Sequence, residues 1–134
     1  ETEDESEEAR SSNDTVAVSD AGDYGAAGSV VSAAMAQIGV NQDCTMLVSN
    51  ALRAAGIYFH GWPAGYFSLG SVVSAAAAQP GDLIYYADGG AGWAHIALYV
   101  GGGRAVHGGW KGYTTVLASA YISSASAPVF IRLH

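Results

Sequence analysis

The order of two helix-like segments followed by five short strand-like runs constrains the fold of this chain most. Apolar residues recur at helical spacing over residues 30–38 and again over 44–55. Strand-like runs then follow, with turn residues between them, over residues 83–87, 94–100, 104–107, 114–117 and 128–133. Helices that precede a group of strands indicate an α+β domain, with the helices packed on a small antiparallel β-sheet of about five strands.

Acidic charge is concentrated at the amino-terminal end. Residues 1–23 contain nine acidic side chains and Arg10, a net charge of −8, whereas residues 24–134 contain three acidic and four basic side chains, a net charge of +1. Residues 1–24 are also poor in large apolar groups, so we expect an acidic disordered linker or tail ahead of one folded domain over residues 25–134. The nearly neutral domain has no basic patch for nucleic acid, and no apolar run is long enough to span a membrane. We expect a monomer.

Capping residues delimit the two predicted helices. Ser29 is a candidate N-cap for the first helix and Gly39 follows its last residue, while Asp43 and Gly56 bracket the second helix in the same way. Between the second helix and the strands, residues 57–70 are rich in glycine and aromatic residues and predict a loop. Residues 71–79 are rich in alanine and predict a short helix.

The only cysteine lies at the start of the second predicted helix, and two histidines lie on the two arms of a predicted hairpin. A hairpin centred on Gly101 would place His95 directly opposite His107, so the two imidazoles could form a hydrogen bond. A slip of one residue in the strand pairing would separate them. Cys44 with these two histidines has the composition of a nucleophile, a base and an orienting group.

The location of Cys44 suggests how the thiol could react. A helix N-terminus and a nearby imidazolium both lower a thiol pKa, and the amides at the helix start can stabilise an oxyanion. His95 would then protonate the leaving amine, while His107 would hold the tautomer of His95. Two alternatives stay open: Cys44 can be a buried structural thiol, or Cys44, His95 and His107 can bind zinc, although no C-x-x-C or H-x-x-x-H spacing supports a metal.

Four segments, in order, resemble the NlpC/P60 family of bacterial cell-wall peptidases. They are Asp43-Cys44-Thr45-Met46-Leu47-Val48, Pro80-Gly81-Asp82-Leu83, His95-Ile96-Ala97-Leu98-Tyr99-Val100-Gly101 and Val106-His107. The resemblance implies a papain-like core and a thiol hydrolase of peptidoglycan stem peptides that cuts the D-γ-glutamyl–diamino acid bond without a cofactor or a metal. It also implies a secreted protein of the bacterial cell wall.

The resemblance implies roles for individual residues as well. Cys44 would be the nucleophile, His95 the base and His107 the third polar residue, while Asp43 and Thr45 would help to line the substrate subsite. These positions make residues 25–134 an NlpC/P60-like catalytic domain.

The sequence also departs from the family pattern. The short connection 39–43 lacks a stretch that in many members carries a substrate-contacting tyrosine. Trp62, Trp93 and Trp110 lie in loops near the expected cleft, where they can either contact substrate or serve only in packing. An amidase or acyl transferase with the same triad, and a catalytically silent wall-binding or interaction module, are therefore alternative functions.

Overall fold

The computed structural model describes residues 21–134, which form two α-helices and a six-stranded sheet. The helices are α1 (Ala21–Met35) and α2 (Cys44–Arg53), and the strands are β1 (Gly70–Val73), β2 (Leu83–Tyr86), β3 (His95–Gly101), β4 (Arg104–Trp110), β5 (Thr114–Ser119) and β6 (Val129–Leu133). The strands lie in the order β1-β6-β2-β3-β4-β5, and all neighbours are antiparallel. The predicted α+β class is confirmed, with one strand more than expected.

Helix α2 begins where its capping residue predicts. The Asp43 carboxylate accepts a hydrogen bond from the Met46 amide at 2.8 Å and thereby satisfies an amide that has no partner within the helix. The helix ends at Arg53, and Gly56 follows with a φ of 77°, a conformation that glycine adopts without strain. Its apolar stripe is completely buried and consists of Leu47, Val48, Ala51 and Leu52. Burial of each large side chain contributes about 1.5–3 kcal/mol of transfer free energy.

Helix α1 is longer at its amino-terminal end than predicted. It begins at Ala21, so Ser29 lies inside the helix and is not its N-cap. Alanine has the highest helix propensity, and the alanines at positions 21, 26 and 27 favour this extension. The helix therefore includes residues 21–24 of the predicted tail, and the rest of that tail lies outside the described residues. Beyond Met35 the chain turns, and the Gly39 amide donates to the Thr115 carbonyl at 2.9 Å.

The predicted helix over residues 71–79 is wrong. Residues Gly70–Val73 instead form the edge strand β1, paired with β6 from Gly70↔Leu133 to Val73↔Phe130, and Ala75–Ala77 form a single 3₁₀ turn. A Cβ atom at Gly70 would overlap the backbone of Arg132, so only glycine allows the two strands to approach here. Non-local pairing with the carboxyl-terminal strand fixes residues 70–73 as a strand, and the alanines that follow form only one turn.

The sheet has an apolar core on each face. On the first face, α2 packs on the central strands and α1 packs on α2, around Leu83, Ile96, Leu98, Val106 and Ile131. On the second face, a smaller cluster contains Ile84, Tyr86, Ala97, Tyr99, Ala105, Ala120 and Phe130. Because side chains alternate along a strand, His95 and His107 share this second face with Ala97 and Ala105.

The predicted register of the β3–β4 hairpin is wrong by two residues. Leu98 pairs with Val106 and Tyr99 with Ala105, with an irregularity before Gly101↔Arg104. In this register His107 lies diagonally across from His95 and not directly opposite it. A shift of two residues keeps every side chain on its original face, and a diagonal neighbour is still within reach of a ring side chain. The two histidines therefore still meet.

Candidate active site

The two imidazoles form a hydrogen-bonded chain that ends on a backbone carbonyl. His95 Nε2 lies 3.0 Å from His107 Nδ1, and His107 Nε2 lies 2.9 Å from the Ser119 carbonyl oxygen. A carbonyl only accepts, so His107 Nε2 carries a proton. In the neutral ring His107 Nδ1 is then an acceptor, and His95 Nε2 must donate to it. The chain of bonds leaves the lone pair of His95 on Nδ1.

Both rings are uncharged in the folded protein. Burial lowers the pKa of His95 to about 3, and His107 adds to this effect. Burial also lowers the pKa of His107 to about 4, although the bond to the Ser119 carbonyl acts in the opposite direction. At neutral pH the pair is therefore a base and not a cation.

Aromatic side chains hold the imidazole pair in place. The ring centroid of Tyr86 lies 5.4 Å from that of His95 and 6.2 Å from that of His107. The hydroxyl of Tyr86 donates to the Ala120 carbonyl at 2.6 Å, and burial raises the pKa of this phenol far above its usual value. Trp110 lies against the other end of the pair, with its ring centroid 4.5 Å from that of His107.

The thiol of Cys44 is in its protonated form at rest. Burial raises its pKa, and the charge of Asp43 adds to the increase, while the amides of Ile96, Cys44 and Thr45 lower it by less. The sequence led us to expect a thiol pKa lowered by the helix N-terminus and by an imidazolium. That expectation is wrong for the resting protein, because the thiol is desolvated and both imidazoles are neutral.

Two glycines allow the start of α2 to approach β4. A Cβ atom at Gly108 would lie 2.5 Å from the Asp43 carbonyl oxygen and 2.8 Å from Leu47 Cβ. Gly109 has a φ of 63°, and its amide donates to the Gln42 carbonyl at 2.7 Å. This glycine notch, Gly108–Gly109, lies one residue beyond His107. It brings the helix that carries the thiol against the strand that carries the second imidazole.

The thiol and the imidazoles approach from opposite faces of the sheet. Within residues 21–134, no hydrogen bond joins Cys44 to either ring. Residue-by-residue pairing of β3 with β4 extends from Gly101↔Arg104 to Leu98↔Val106 and ends before His95. Cys44 packs against the apolar core of the first face, which contains Ile96, the residue that follows His95. Catalytic hydrogen bonds in ligand-free structures are often long and shorten when substrate binds.

Asp43 and Thr45 adjoin the thiol, but their polar groups are engaged with each other. The Thr45 hydroxyl donates to Asp43 Oδ1 at 2.7 Å, and the same oxygen accepts the Met46 amide. Burial would raise the pKa of Asp43, but the hydrogen bonds from Thr45 and Met46 outweigh it and lower the pKa. Asp43 is therefore an anion that caps α2.

The three predicted tryptophans differ in location. Trp110 contacts His107, as described above. Trp62 and Trp93 are 86% and 77% exposed and so do not serve in packing the core. Trp93 is two residues before His95, and its carbonyl accepts a hydrogen bond from the Gly89 amide at 2.7 Å. Gly89 in turn lies against the Cβ atom of His95. Trp62 directly precedes the 3₁₀ segment Pro63–Leu69, which carries Tyr66 to the start of α2.

A polar network beneath the first turns of α2 was missed in the sequence. The hydroxyl of buried Tyr66 donates to the Thr45 carbonyl at 3.1 Å and lies 2.6 Å from Ser49 Oγ. Ser49 Oγ donates to the Phe59 carbonyl at 2.6 Å and lies 3.1 Å from His60 Nδ1. His60, which has no predicted role, is thus part of this network. Ser49 is a polar residue of α2 next to the apolar stripe, and this position in the sequence could have indicated a buried polar network.

Two further features are absent from residues 21–134. No group of three histidine, cysteine, aspartate or glutamate residues in that part of the chain is arranged to hold a metal ion. No helix there has the length and apolar character needed to cross a membrane.

The motifs, the fold and the geometry agree with a comparison against known families. A model described as the NlpC/P60 family matches residues 23–130. The chain belongs to the NlpC/P60 family. The predicted family resemblance is confirmed. This family includes peptidoglycan hydrolases.

Individual relatives support the family assignment and its fold. The chain is 33% identical over 64 residues to a probable endopeptidase p60 of Listeria grayi, a match that covers 48% of this chain and only 12% of that relative. The peptidoglycan hydrolase RipB of Mycobacterium tuberculosis has a TM-score of 0.67 at 21% identity, covering 87% of this chain and 69% of RipB. RipD of the same organism, described as a non-catalytic NlpC/p60 domain protein adapted to peptidoglycan binding, has a TM-score of 0.64 at 19% identity, covering 81% and 97%.

Proposed function

We propose that this chain is a cysteine peptidase of the bacterial cell wall that hydrolyses peptidoglycan stem peptides. The observation that carries the proposal is the bond chain from His95 through His107 to the Ser119 carbonyl, which leaves His95 Nδ1 as a base. The only thiol of the chain is located at the start of α2, beside the residue that follows His95. A nucleophile, a base and an orienting group are the parts that covalent peptide hydrolysis needs.

The reaction begins from neutral partners. His95 Nδ1 takes the proton of the Cys44 thiol as the sulfur attacks the peptide carbonyl, so charge separates only when substrate is bound. The amides at the start of α2 stabilise the oxyanion that forms. The protonated His95 then gives its proton to the leaving amine, and the carbon–nitrogen bond breaks to leave an acyl-thioester. Water, deprotonated by His95, hydrolyses the thioester and restores the thiol.

The finer points of the function extend this proposal. The bond cut is the D-γ-glutamyl–diamino acid bond, and the protein acts outside the cell at the wall. Asp43 and Thr45 border the substrate subsite through their positions beside Cys44. Trp110 forms a wall next to the imidazoles, and the exposed Trp62 and Trp93 offer flat surfaces to the substrate. The same triad would also serve an amidase or an acyl transferase, in which the amide bond or the acceptor differs.

Digestion of purified peptidoglycan, followed by mass spectrometry of the released fragments, tests the proposal. The full chain is expected to release fragments cut after D-γ-glutamate, and the Cys44→Ser variant is expected to release none. A different cleaved amide would favour the amidase, and a new cross-link or adduct would favour the acyl transferase. Intact peptidoglycan in both samples would contradict a hydrolase.

A non-catalytic wall-binding module is the second candidate. The absence of a bond from the thiol to an imidazole within the described residues, and the raised pKa of Cys44, favour this alternative. RipD illustrates that the fold occurs in a non-catalytic protein. The rate of iodoacetamide labelling at neutral pH, with and without a stem peptide, separates the two. In a peptidase the stem peptide is expected to slow labelling, because it occupies the site and acylates the sulfur, whereas a silent module is expected to label at the same slow rate in both cases.

A further inference from the structure

The outer side of α2 carries a groove that the proposed reaction does not use. Its volume is about 350 Å³, and on the helix side it is lined by Met46, Asn50 and Arg53, residues spaced four and three apart that form one face of the helix. Cys44 and Met46 are two residues apart, so their directions around the helix axis differ by about 200°. Cys44 therefore points to about the opposite side of α2 from the groove. The groove is therefore distinct from the thiol site.

A cation without a carboxylate partner in the described structure lies at the far end of this groove. Arg53 is held over the ring of Tyr58, with its guanidinium carbon 5.5 Å from the ring centroid. The ion pair found within residues 21–134 joins Arg132 to Asp82, so in that part of the chain no acidic side chain neutralises Arg53. Contact with an aromatic face orients a guanidinium but leaves its N–H donors available for a ligand.

The remaining polar groups of the groove suit a peptide. Both protons of the Asn50 amide are engaged with the buried side, at 3.2 Å to Gln37 Oε1 and 3.1 Å to Gln42 Oε1, so its oxygen remains as an acceptor. The single proton of Ser49 goes to a backbone carbonyl, so His60 Nδ1 must donate to Ser49 Oγ and its Nε2 remains for a ligand. The groove thus presents an acceptor for a peptide N–H and a planar cation for a carboxylate.

We propose that this groove is an accessory binding site for a stem peptide through a free carboxylate of that peptide. Arg53 binds the carboxylate through its paired N–H donors, the Asn50 oxygen accepts a peptide N–H, and Met46 and Tyr58, which are 39% and 75% exposed, contact the apolar parts. The choice of a stem peptide rests on the proposed function, while the preference for a carboxylate rests on the groove alone. Such a site holds the wall while the thiol acts on another part of it.

Calorimetric titration of the full-length Cys44→Ser variant tests this site without turnover. The probes are a synthetic stem tetrapeptide, Ala–γ-D-Glu–Lys–D-Ala, with free carboxylates and the same peptide with its carboxylates converted to amides. The free-acid peptide is expected to bind about tenfold more tightly, because a hydrogen bond to a charged group is lost in the amide. Adding Arg53→Gln is expected to reduce the difference below about twofold, and Arg53→Lys is expected to keep part of it.

A matched variant and an independent assay complete the test. Arg104→Gln removes one exposed arginine at the β3–β4 turn, far along the chain from the groove, and is expected to keep the tenfold preference. Equal binding of both peptides, or an unchanged preference in Arg53→Gln, would overturn the accessory site. Hydrolysis of peptidoglycan by the unmodified chain is measured separately, so a carboxylate preference without hydrolysis would refute only the proposed function, and hydrolysis without the preference only the accessory site.

Discussion

On the face of the sheet that α2 covers, the surroundings of Cys44 are apolar, and desolvation determines the protonation state of the thiol. On the opposite face, His95 lies beside a second apolar cluster, but a chain of bonds through His107 to a backbone carbonyl determines the tautomer of the ring. Burial acts on both groups but with opposite results: it keeps the thiol protonated and the imidazoles unprotonated. The Cys44 thiol can therefore act as a proton donor and the His95 ring as a proton acceptor.

Removal of the thiol is the strongest test of the roles assigned to Cys44 and His95. We expect Cys44→Ser to lower kcat/KM for stem-peptide hydrolysis by at least about a thousandfold, because a serine in the same desolvated site is a far weaker nucleophile. The Tm is expected to change little, since serine is well tolerated at a helix N-terminus. Near-normal turnover by the purified variant would show that Cys44 is not the nucleophile.

The two imidazoles are expected to differ in their effect on the rate. His95→Ala removes the base and is expected to reduce kcat as much as the loss of the thiol. His107→Ala removes only the group that orients the base, and we expect a smaller loss, about ten- to a hundredfold. Steady-state kinetics with both variants measures the difference. If His107→Ala were the more severe, the roles of the two rings would have to be exchanged.

The pH dependence of stability tests the burial of the imidazole pair. Both folded-state pKa values lie below the unfolded value of about 6.5, so the unfolded chain binds more protons and stability falls as the pH is lowered from 6.5 toward 4. Between pH 7 and 5 we expect a loss of about 2 kcal/mol for each ring, measured by urea unfolding. A free energy of unfolding that is constant over this range would contradict the burial of the pair.

Close packing of α2 on β4 depends on the glycine notch. Gly108→Ala places a methyl group against the Asp43 carbonyl and Leu47, and we expect a loss of about 2–3 kcal/mol in the free energy of unfolding. Gly25→Ala is the matched control, because a Cβ atom there meets nothing within 4 Å and alanine favours the helix. Equal stability of the two variants, measured by thermal unfolding, would show that β4 can move away from α2 without cost.

The smallest expected effect concerns the aromatic ring beneath the imidazoles. Tyr86→Phe keeps the ring but removes the donor to the Ala120 carbonyl, and we expect a loss of about 1 kcal/mol. Tyr86→Leu also removes the ring contacts and is expected to reduce stability further and to broaden the imidazole signals in NMR spectra. If the leucine variant were as stable as the phenylalanine variant, the hydroxyl would be the important part of this side chain.

Local features could be predicted from the sequence because they depend on neighbours within a few residues. Asp43 caps α2, Cys44 is its first residue, and the apolar stripe that follows is buried. Capping and helical periodicity act over one or two turns, so a linear pattern contains the information. The order of the motifs was also enough to predict the family, since that comparison uses the chain as written.

Features that depend on strand pairing could not be predicted in the same way. The segment predicted as a helix begins as β1 because its partner is the last strand, about sixty residues away along the chain. The hairpin register differed by two residues, and the histidines still met only because that shift preserves the face.

The sequence by itself determined which groups can react: one thiol at a helix start and two imidazoles on neighbouring strands. Tertiary structure decided their protonation states and their partners. The pKa of a buried group depends on desolvation, and the tautomer of His95 depends on the Ser119 carbonyl, which β5 brings to His107. Burial and the position of a backbone carbonyl arise only when distant segments pack, so no local pattern in the sequence encodes them.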